Sequence, residues 1–400
     1  MPLRPPAGFI SAFFDPLKNP DAPTSPAATA GDTTASVTFT APSNVGGSAI
    51  TAYYAVSNPG QITSFAASSP VTVTGLTNDT AYTFNVWALN SFGPSAYSAA
   101  TGSVTPAQLQ RGLFAGGGPS NTISYIEIAT TGNATSFGSL TTSTRGNSGV
   151  GSTTRGVNGG GNTGSYSSVM NYVTFATTGN ATSFGVLTVS SGDLASCNNA
   201  TRGVWGGGYT GGFTSVLGYV TIATTGNATS FGNLSNNPYG LASCSSPTRG
   251  LFAAGETSGG WTAAITYITI ASTGNSTTFG NLPVTNRDLA ACSSATRGLF
   301  AGGLTDPGSE PYLSAINYVT IASTGNSTTF GNLTIVMTSL AACSSATRGT
   351  FAGGGTAGGS STSVISYVTI ASTGNAVSFG NLPATKTQFA GFSNCNGGTQ

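Results

Sequence analysis

A chain of 400 residues without a single histidine lacks both the commonest general base and the commonest transition-metal ligand. Acid–base chemistry is left to ten Asp and Glu residues in all. Glycoside hydrolysis needs two carboxyls roughly 5–10 Å apart across a sugar bond. Asp193 and Asp288 stand at matching positions of two similar segments, and Asp306 and Glu310 share a loop. Asp288 with Asp306 or Glu310 is the one pair that would suit such a reaction. No Ser or Cys has a His to activate it, and no glycine-rich run has the form of a phosphate-binding loop. The residues therefore predict a non-enzyme with no catalytic residue, no metal and no cofactor.

Cys197, Cys244, Cys292, Cys343 and Cys395 are 47, 48, 51 and 52 residues apart, with no CxxC pair. That spacing excludes a zinc ribbon or a disulfide framework and predicts buried thiols. The net charge is +1 with 5% charged residues, too little basic field to collect nucleic-acid phosphates. No apolar run reaches the ~18 residues of a membrane span. The opening apolar stretch, Gly8 to Phe14, stops at Asp15 without a cleavage-site pattern, so no secretion signal is expected and assembly in a cytoplasm is.

The elements that would position these residues are repeated. A segment like RGLFAGG starts at Arg111, Arg155, Arg202, Arg249, Arg297 and Arg348. Each is followed by a run like SYVTIASTGN, with Tyr125, Tyr172, Tyr219, Tyr267, Tyr318 and Tyr367, then by SFGNL or a variant with Phe137, Phe184, Phe231, Phe279, Phe330 and Phe379. Six units at a period of 44 to 51 have the length of propeller blades. Each reads as four strands, a to d. Leu289–Cys292 is a short inner strand, Gly298–Ala301 ends in a Gly pair where φ turns positive, Tyr318–Ile321 alternates, and Thr324-Gly325-Asn326 predicts a hairpin turn into an outer strand. The first unit begins at strand b, and Phe389–Asn396 is a surplus strand a at the other end. Pairing the two would close a ring without an open edge. The expected fold of residues 107–400 is a six-bladed β-propeller closed by its C-terminal strand.

The Gly pair, the Tyr of strand c, the aromatic of strand d and the ~50-residue period resemble kelch repeats, with Phe in place of the usual Trp. Residues 21–106 differ in composition. Their run LTNDTAYTFNVWALN from Leu76, followed by Phe92-Gly93-Pro94-Ser95, closely resembles the end of a fibronectin type III domain. That resemblance implies a β-sandwich with Tyr82 as its tyrosine corner and Phe39 in place of an early Trp. The whole chain is thus expected to be all-β, a fibronectin type III sandwich followed by a kelch-like propeller.

Alternating strand direction puts the a–b and c–d connections on one face and the b–c and d–a loops on the other. The first face is nearly constant. Its six repeated Arg residues would hydrogen-bond turn carbonyls or, in the other reading, grip an anionic partner. Asn133, Asn180, Asn227, Asn275 and Asn326 form Asn-x-Thr motifs there, read as turn residues. The second face varies and carries the candidate ligand-binding residues Tyr166, Tyr209, Phe213, Tyr239, Trp261, Arg287 and Tyr312, with Arg145, Glu256, Asp288 and Lys386 nearby. Aromatic platforms beside polar groups suit a sugar or a protein surface; drifting loops that pack on their own blades are the other reading.

The Gly/Ser/Thr-rich, charge-poor style and this architecture resemble structural proteins of bacteriophage virions. The resemblance implies a tail fibre or baseplate-associated adhesin, located in the virion after assembly in the host cytoplasm. Its partners would be other virion proteins and a host-surface polysaccharide or protein, with no nucleic acid and no membrane insertion. Residues 1–20 form an anchoring segment, with Phe9, Ile10, Phe13, Phe14 and Leu17 docking to the particle. A capsid decoration or cement protein and a surface-glycan depolymerase are the alternatives. A homotrimer would suit a fibre, but no heptad or triple-helical segment drives one.

Overall fold

The computed structural model describes residues 17–118, 120–305 and 312–395. All regular structure among them is β, with no helix, in two compact units, Met1–Leu109 and Gln110–Gln400.

In the first unit Thr24–Ala30, Thr34–Thr40 and Val71–Thr74 form one antiparallel sheet. Thr63–Ala66, Ala52–Asn58, Thr83–Asn90 and Gly93–Pro94 form a second, in that order. The two-residue periodicity of the sequence becomes a two-faced sheet: Thr83–Asn90 buries every second side chain. Val37, Val73, Ala55, Phe84 and Val86 make the core. Phe39 packs on Tyr53 with ring centroids 4.8 Å apart. The buried Tyr82 hydroxyl accepts the Thr77 N–H at 3.1 Å, as a tyrosine corner requires. Lys18 N–H donates to Gly46 O and Asn19 Nδ2 to Pro94 O, so the chain is tied to this unit from Lys18 onward.

The second unit is a series of six four-stranded antiparallel sheets. The fifth is representative, with Ala290–Ser293 (a), Arg297–Ala301 (b), Ala315–Thr320 (c) and Thr328–Asn332 (d). The first is assembled from both ends of the unit: Ala390–Ser393 pairs with Arg111–Ala115, placing Phe392 opposite Leu113. The a strands of successive sheets lie side by side, and Ala390–Ser393 lies beside those of the sixth and the second. Strand b is buried on both faces in every sheet, which is why it reads as apolar and small rather than alternating.

Contacts within and between sheets repeat with the sequence and explain its recurring residues. Each strand-c Tyr meets the strand-d Phe of its own sheet edge-on, as Tyr318 meets Phe330 at 6.0 Å, worth about 0.5–1.5 kcal/mol beyond burial. The Sγ atoms of Cys197, Cys244, Cys292 and Cys343 occupy the space where a Cβ would stand on Gly250, Gly298, Gly349 and Gly112, each in strand b of a neighbouring sheet. The Gly of every Arg-Gly pair is therefore a packing requirement. All five cysteines are free and buried, and burial pushes the thiols up, to about 12 for Cys244. Cys395 is not the fifth member of this series. Phe392, three residues earlier, fills the equivalent space against Gly149 and Gly156, because the extra volume replaces a thiol where both neighbours are glycine.

The Gly pair after strand b has positive φ as expected, for example +69° and +95° at Gly302 and Gly303. The Thr-Gly-Asn segment does not form the predicted hairpin turn. In the second sheet Gly179 N–H donates to Phe137 O of the first, and Asn180 Oδ1 accepts the Ser139 N–H at 3.1 Å. The segment runs along the outer strand of the preceding sheet, because that exposed edge offers unpaired amides and carbonyls. The same contact ends in a cycle: Gly132 N–H of the first sheet donates to Phe379 O of the sixth, and Asn133 Oδ1 accepts the Asn381 N–H.

Candidate functional site

The repeated Arg residues are committed to structure. Arg249 Nη1 donates to Ile321 O and Ala322 O of the next sheet, with its guanidinium 4.6 Å above the Tyr267 ring. The other five do likewise, and Arg348 of the sixth sheet reaches Ile128 O and Ala129 O of the first. This arrangement uses one guanidinium nitrogen for two carbonyls and the cation–π face together, so the constant face offers no ring of unengaged guanidinium groups.

At the opposite ends of the a strands, the residue that enters each strand adopts positive φ: Gly146, Asp193, Gly240, Asp288, Ser339 and Gln388, between +53° and +63°. Their peptide groups form a closed belt. Asp193 N–H donates to Gly146 O, Gly240 N–H to Asp193 O, Asp288 N–H to Gly240 O, and so on through Gln388 to Gly146. The belt encircles the mouth of a cavity of about 120 Å³, lined by these residues and the starts of the a strands. Gly146 and Gly240 are glycine because the carboxyl oxygens of Asp193 and Asp288 stand where their Cβ atoms would be. Two carboxyls far apart in sequence thus share one cavity mouth. Burial raises the pKa of Asp193, opposed by Arg145 and Arg287. Burial also pushes Asp288 up to about 6, opposed by Arg287 and assisted by Asp193 and Glu256.

Outside the belt the loops bring most of the expected aromatic residues together. Tyr166 meets Tyr209 at 5.7 Å, Tyr209 meets Phe213 and Tyr239 at 5.6 Å each, and Phe213 meets Tyr239 at 5.6 Å. These four rings come from three loops, Tyr209 and Phe213 sharing one, so they form one arc rather than packing each on its own sheet. The arc ends at Arg287, whose Nη1 donates to the Tyr239 hydroxyl at 2.8 Å and to Glu256 Oε2 at 2.5 Å. Tyr239 in turn donates to Glu256 Oε2 at 2.9 Å. Burial and that bond push Tyr239 up to about 12, which keeps it a donor at neutral pH. The Arg287 guanidinium lies 4.6 Å from the Trp261 ring, and its Nε is 3.5 Å from Asp288 Oδ2.

Glu256 and Trp261 are presented by a small hairpin, Glu256–Thr257 with Gly260–Trp261, added to the fourth sheet's b–c loop. Tyr312 stands apart from the arc. It bridges to Leu304, which bridges to Arg287, and it makes no ring contact among the described residues. Lys386 is buried elsewhere, with Nζ donating to Thr122 O and Oγ1. Burial lowers its pKa to about 8. Leu17 is exposed, whereas Phe9, Ile10, Phe13, Phe14, Asp306 and Glu310 lie outside the described residues. Among those described, no three acidic or Cys side chains are grouped to hold a metal ion.

Sequence reasoning had named the aromatic residues, Arg287 and Asp288, but not the meeting of Asp193 with Asp288 or the hub role of Glu256. The shared one-residue offset before each a strand was the available signal for the former. Comparison with curated proteins gives no match to the chain. Residues 21–103 match the fibronectin type III domain, so the chain consists of a fibronectin type III domain followed by a series of four-stranded antiparallel sheets.

Proposed function

We propose that residues 110–400 close into a six-bladed, kelch-like β-propeller and that the chain is a non-enzymatic virion protein of a phage tail, a fibre or baseplate-associated adhesin. The cyclic inter-sheet hydrogen bonds support the ring: the Arg-to-carbonyl, Asn-to-amide and belt bonds from one sheet to the next recur from the sixth to the first. The observation that carries the binding role is the aromatic arc with its Arg287–Glu256 terminus. It gathers scarce charges and large rings on the face whose loops differ from unit to unit. The opposite face spends its side chains on holding sheets together. Residues 1–20 would dock to other virion proteins, and the variable face would meet a host-surface glycan or protein.

The test is sedimentation of the full chain with candidate host cells, beside a Trp261→Ala/Tyr209→Ala variant. Binding that the variant loses fits an adhesin. Absence of binding to every candidate host refutes it and leaves a capsid decoration or cement role. The shared cavity mouth of Asp193 and Asp288 favours a second reading, a surface-glycan depolymerase with Asp288 as general acid. Clearing of a bacterial lawn by the purified chain separates that reading from adhesion.

A further inference from the structure

The ion pair at the end of the arc is unfinished. Arg287 directs both of its protein hydrogen bonds through Nη1, and Glu256 receives both of its own on Oε2. Nη2 of one and Oε1 of the other have no hydrogen-bond partner among the described residues, and the side chains remain 26% and 27% exposed. Arg–carboxylate pairs are frequently bidentate, using both nitrogens and both oxygens; this one engages one nitrogen and one oxygen. Here Tyr239 holds the pair in the open form. Trp261 packs against the guanidinium, and the b–c hairpin, closed by a single bridge at Asn162–Tyr166, Tyr209–Phe213 and Leu304–Tyr312, is extended in the fourth unit to a two-residue ladder that carries Glu256 and Trp261.

We propose that this corner is a subsite for an uncharged pyranose, in which Arg287 Nη2 donates to one hydroxyl of a vicinal diol and Glu256 Oε1 accepts from the next. The inference rests on reading the variable face as a binding surface, and it adds the ligand class and the residues that recognise it. A donor and an acceptor on adjoining atoms match neighbouring hydroxyls, each of which can play either part. Tyr239 and Trp261, both partly exposed, supply apolar surface for a sugar's C–H face. Charge selects against acidic sugars: Asp193, Glu256 and Asp288 outnumber Arg145 and Arg287 around the corner.

The chain has three tryptophans, Trp87, Trp205 and Trp261, so its indole N–H spectrum is simple, and Trp261→Phe assigns the reporter. The full chain is titrated with methyl mannopyranoside, methyl galactopyranoside and galacturonate. A saturable shift of the Trp261 signal by at least one neutral glycoside is expected, with a Kd on the order of 1 mM and weaker binding of galacturonate. Arg287→Lys and Glu256→Gln should each weaken binding about tenfold or more. The Trp205 signal, unchanged in both variants, reports that the sheets are intact. No saturable shift with either glycoside, or a shift that both variants leave undiminished, overturns the subsite. If the wild type still sediments with cells in that case, the adhesin reading survives with another ligand; if it does not, both fall.

Discussion

Replacing Asp288 with Asn should make the protein more stable at neutral pH. Asp288 holds a left-handed backbone conformation, φ +56°, which Asn tolerates as well as Asp. Its carboxyl is pushed from 3.8 up to about 6, chiefly by burial, then by Asp193 and Glu256, against the opposing pull of Arg287. The folded-state value lies above the unfolded one, so the folded protein binds more protons between about pH 4 and 6. Stability from this group is fully present below the unfolded pKa and is lost as pH rises through the folded one. A shift of this size corresponds to about 3 kcal/mol, and the side chain is only 20% exposed, so solvent screening takes a modest share. Asn keeps the shape and removes the charge but weakens the contact with Arg287. The expected net gain at pH 7.5 is about 1–3 kcal/mol.

Trp87 belongs to the first unit and Trp205 and Trp261 to the second. In a Trp87→Phe background, fluorescence therefore follows the second unit alone within the full chain. Denaturant titrations at several pH values should show wild-type stability falling between pH 4 and 7, with a shallower fall for Asp288→Asn. The residual slope belongs to Asp193, raised in the same direction. Lys386 acts in a separate window: its lowered pKa costs stability below about 8, and that loss is recovered as pH rises toward its unfolded value. The difference between wild type and variant isolates Asp288. If Asp288→Asn is less stable at pH 7.5, or the two pH profiles run parallel, the carboxyl is not held against its charge and the electrostatic account of the cavity mouth is wrong.

Two further outcomes test the framework around the site. Gly331→Ala would place a methyl about 2.1 Å from Gly374 O of the neighbouring sheet, whereas a Cβ on Gly374 meets nothing within 4 Å. Thermal unfolding should therefore separate them, with a loss of about 2–4 kcal/mol for the first, by analogy with overpacking at a rigid neighbour, and within about 1 kcal/mol for the second. The five thiols should stay unreactive toward a disulfide reagent at pH 8 in the native chain and all react in denaturant, since each is buried and burial raises its pKa. A fast-reacting native thiol would refute that placement.

Much of this architecture is legible in the sequence because the same local requirement recurs in every unit. The Gly pair after strand b marks two positive φ values, and the surplus a strand finds the b strand that lacked one. The Thr-Gly-Asn segments misled because Gly-Asn is also one of the dipeptides that read as a two-residue hairpin turn. Their partner is an outer strand some forty residues away in sequence, as with Asn180 and Ser139, and local chemistry carries no trace of it. The peptide belt was invisible for another reason. It needs only a left-handed residue at one position, and Gly, Asp, Ser and Gln all serve, so no common side chain marks it. The open ion pair depends on residues 31 and 48 positions apart, brought together by a hairpin too short to show periodicity.

The division of labour between the two faces follows from which groups hold the sheets together. On the constant face, side chains carry the inter-sheet bonds, Arg to carbonyl and Asn to amide, while a Tyr of the same sheet lies under each guanidinium. A change there breaks contacts with the next sheet, so those residues recur unit after unit. On the variable face, the belt and the bridges between d–a and b–c loops use backbone groups. Backbone bonds constrain conformation but leave most side chains unassigned, and loops there can exchange Asn162 for Tyr209, Glu256 or Leu304 at one bridging position. Diversity on that face thus costs the scaffold little, as a recognition surface requires. Asp288 is the informative exception, because burial works against the charge of its carboxyl. Under the proposed binding role, a charge held against burial in the cavity mouth is set by a ligand rather than by folding.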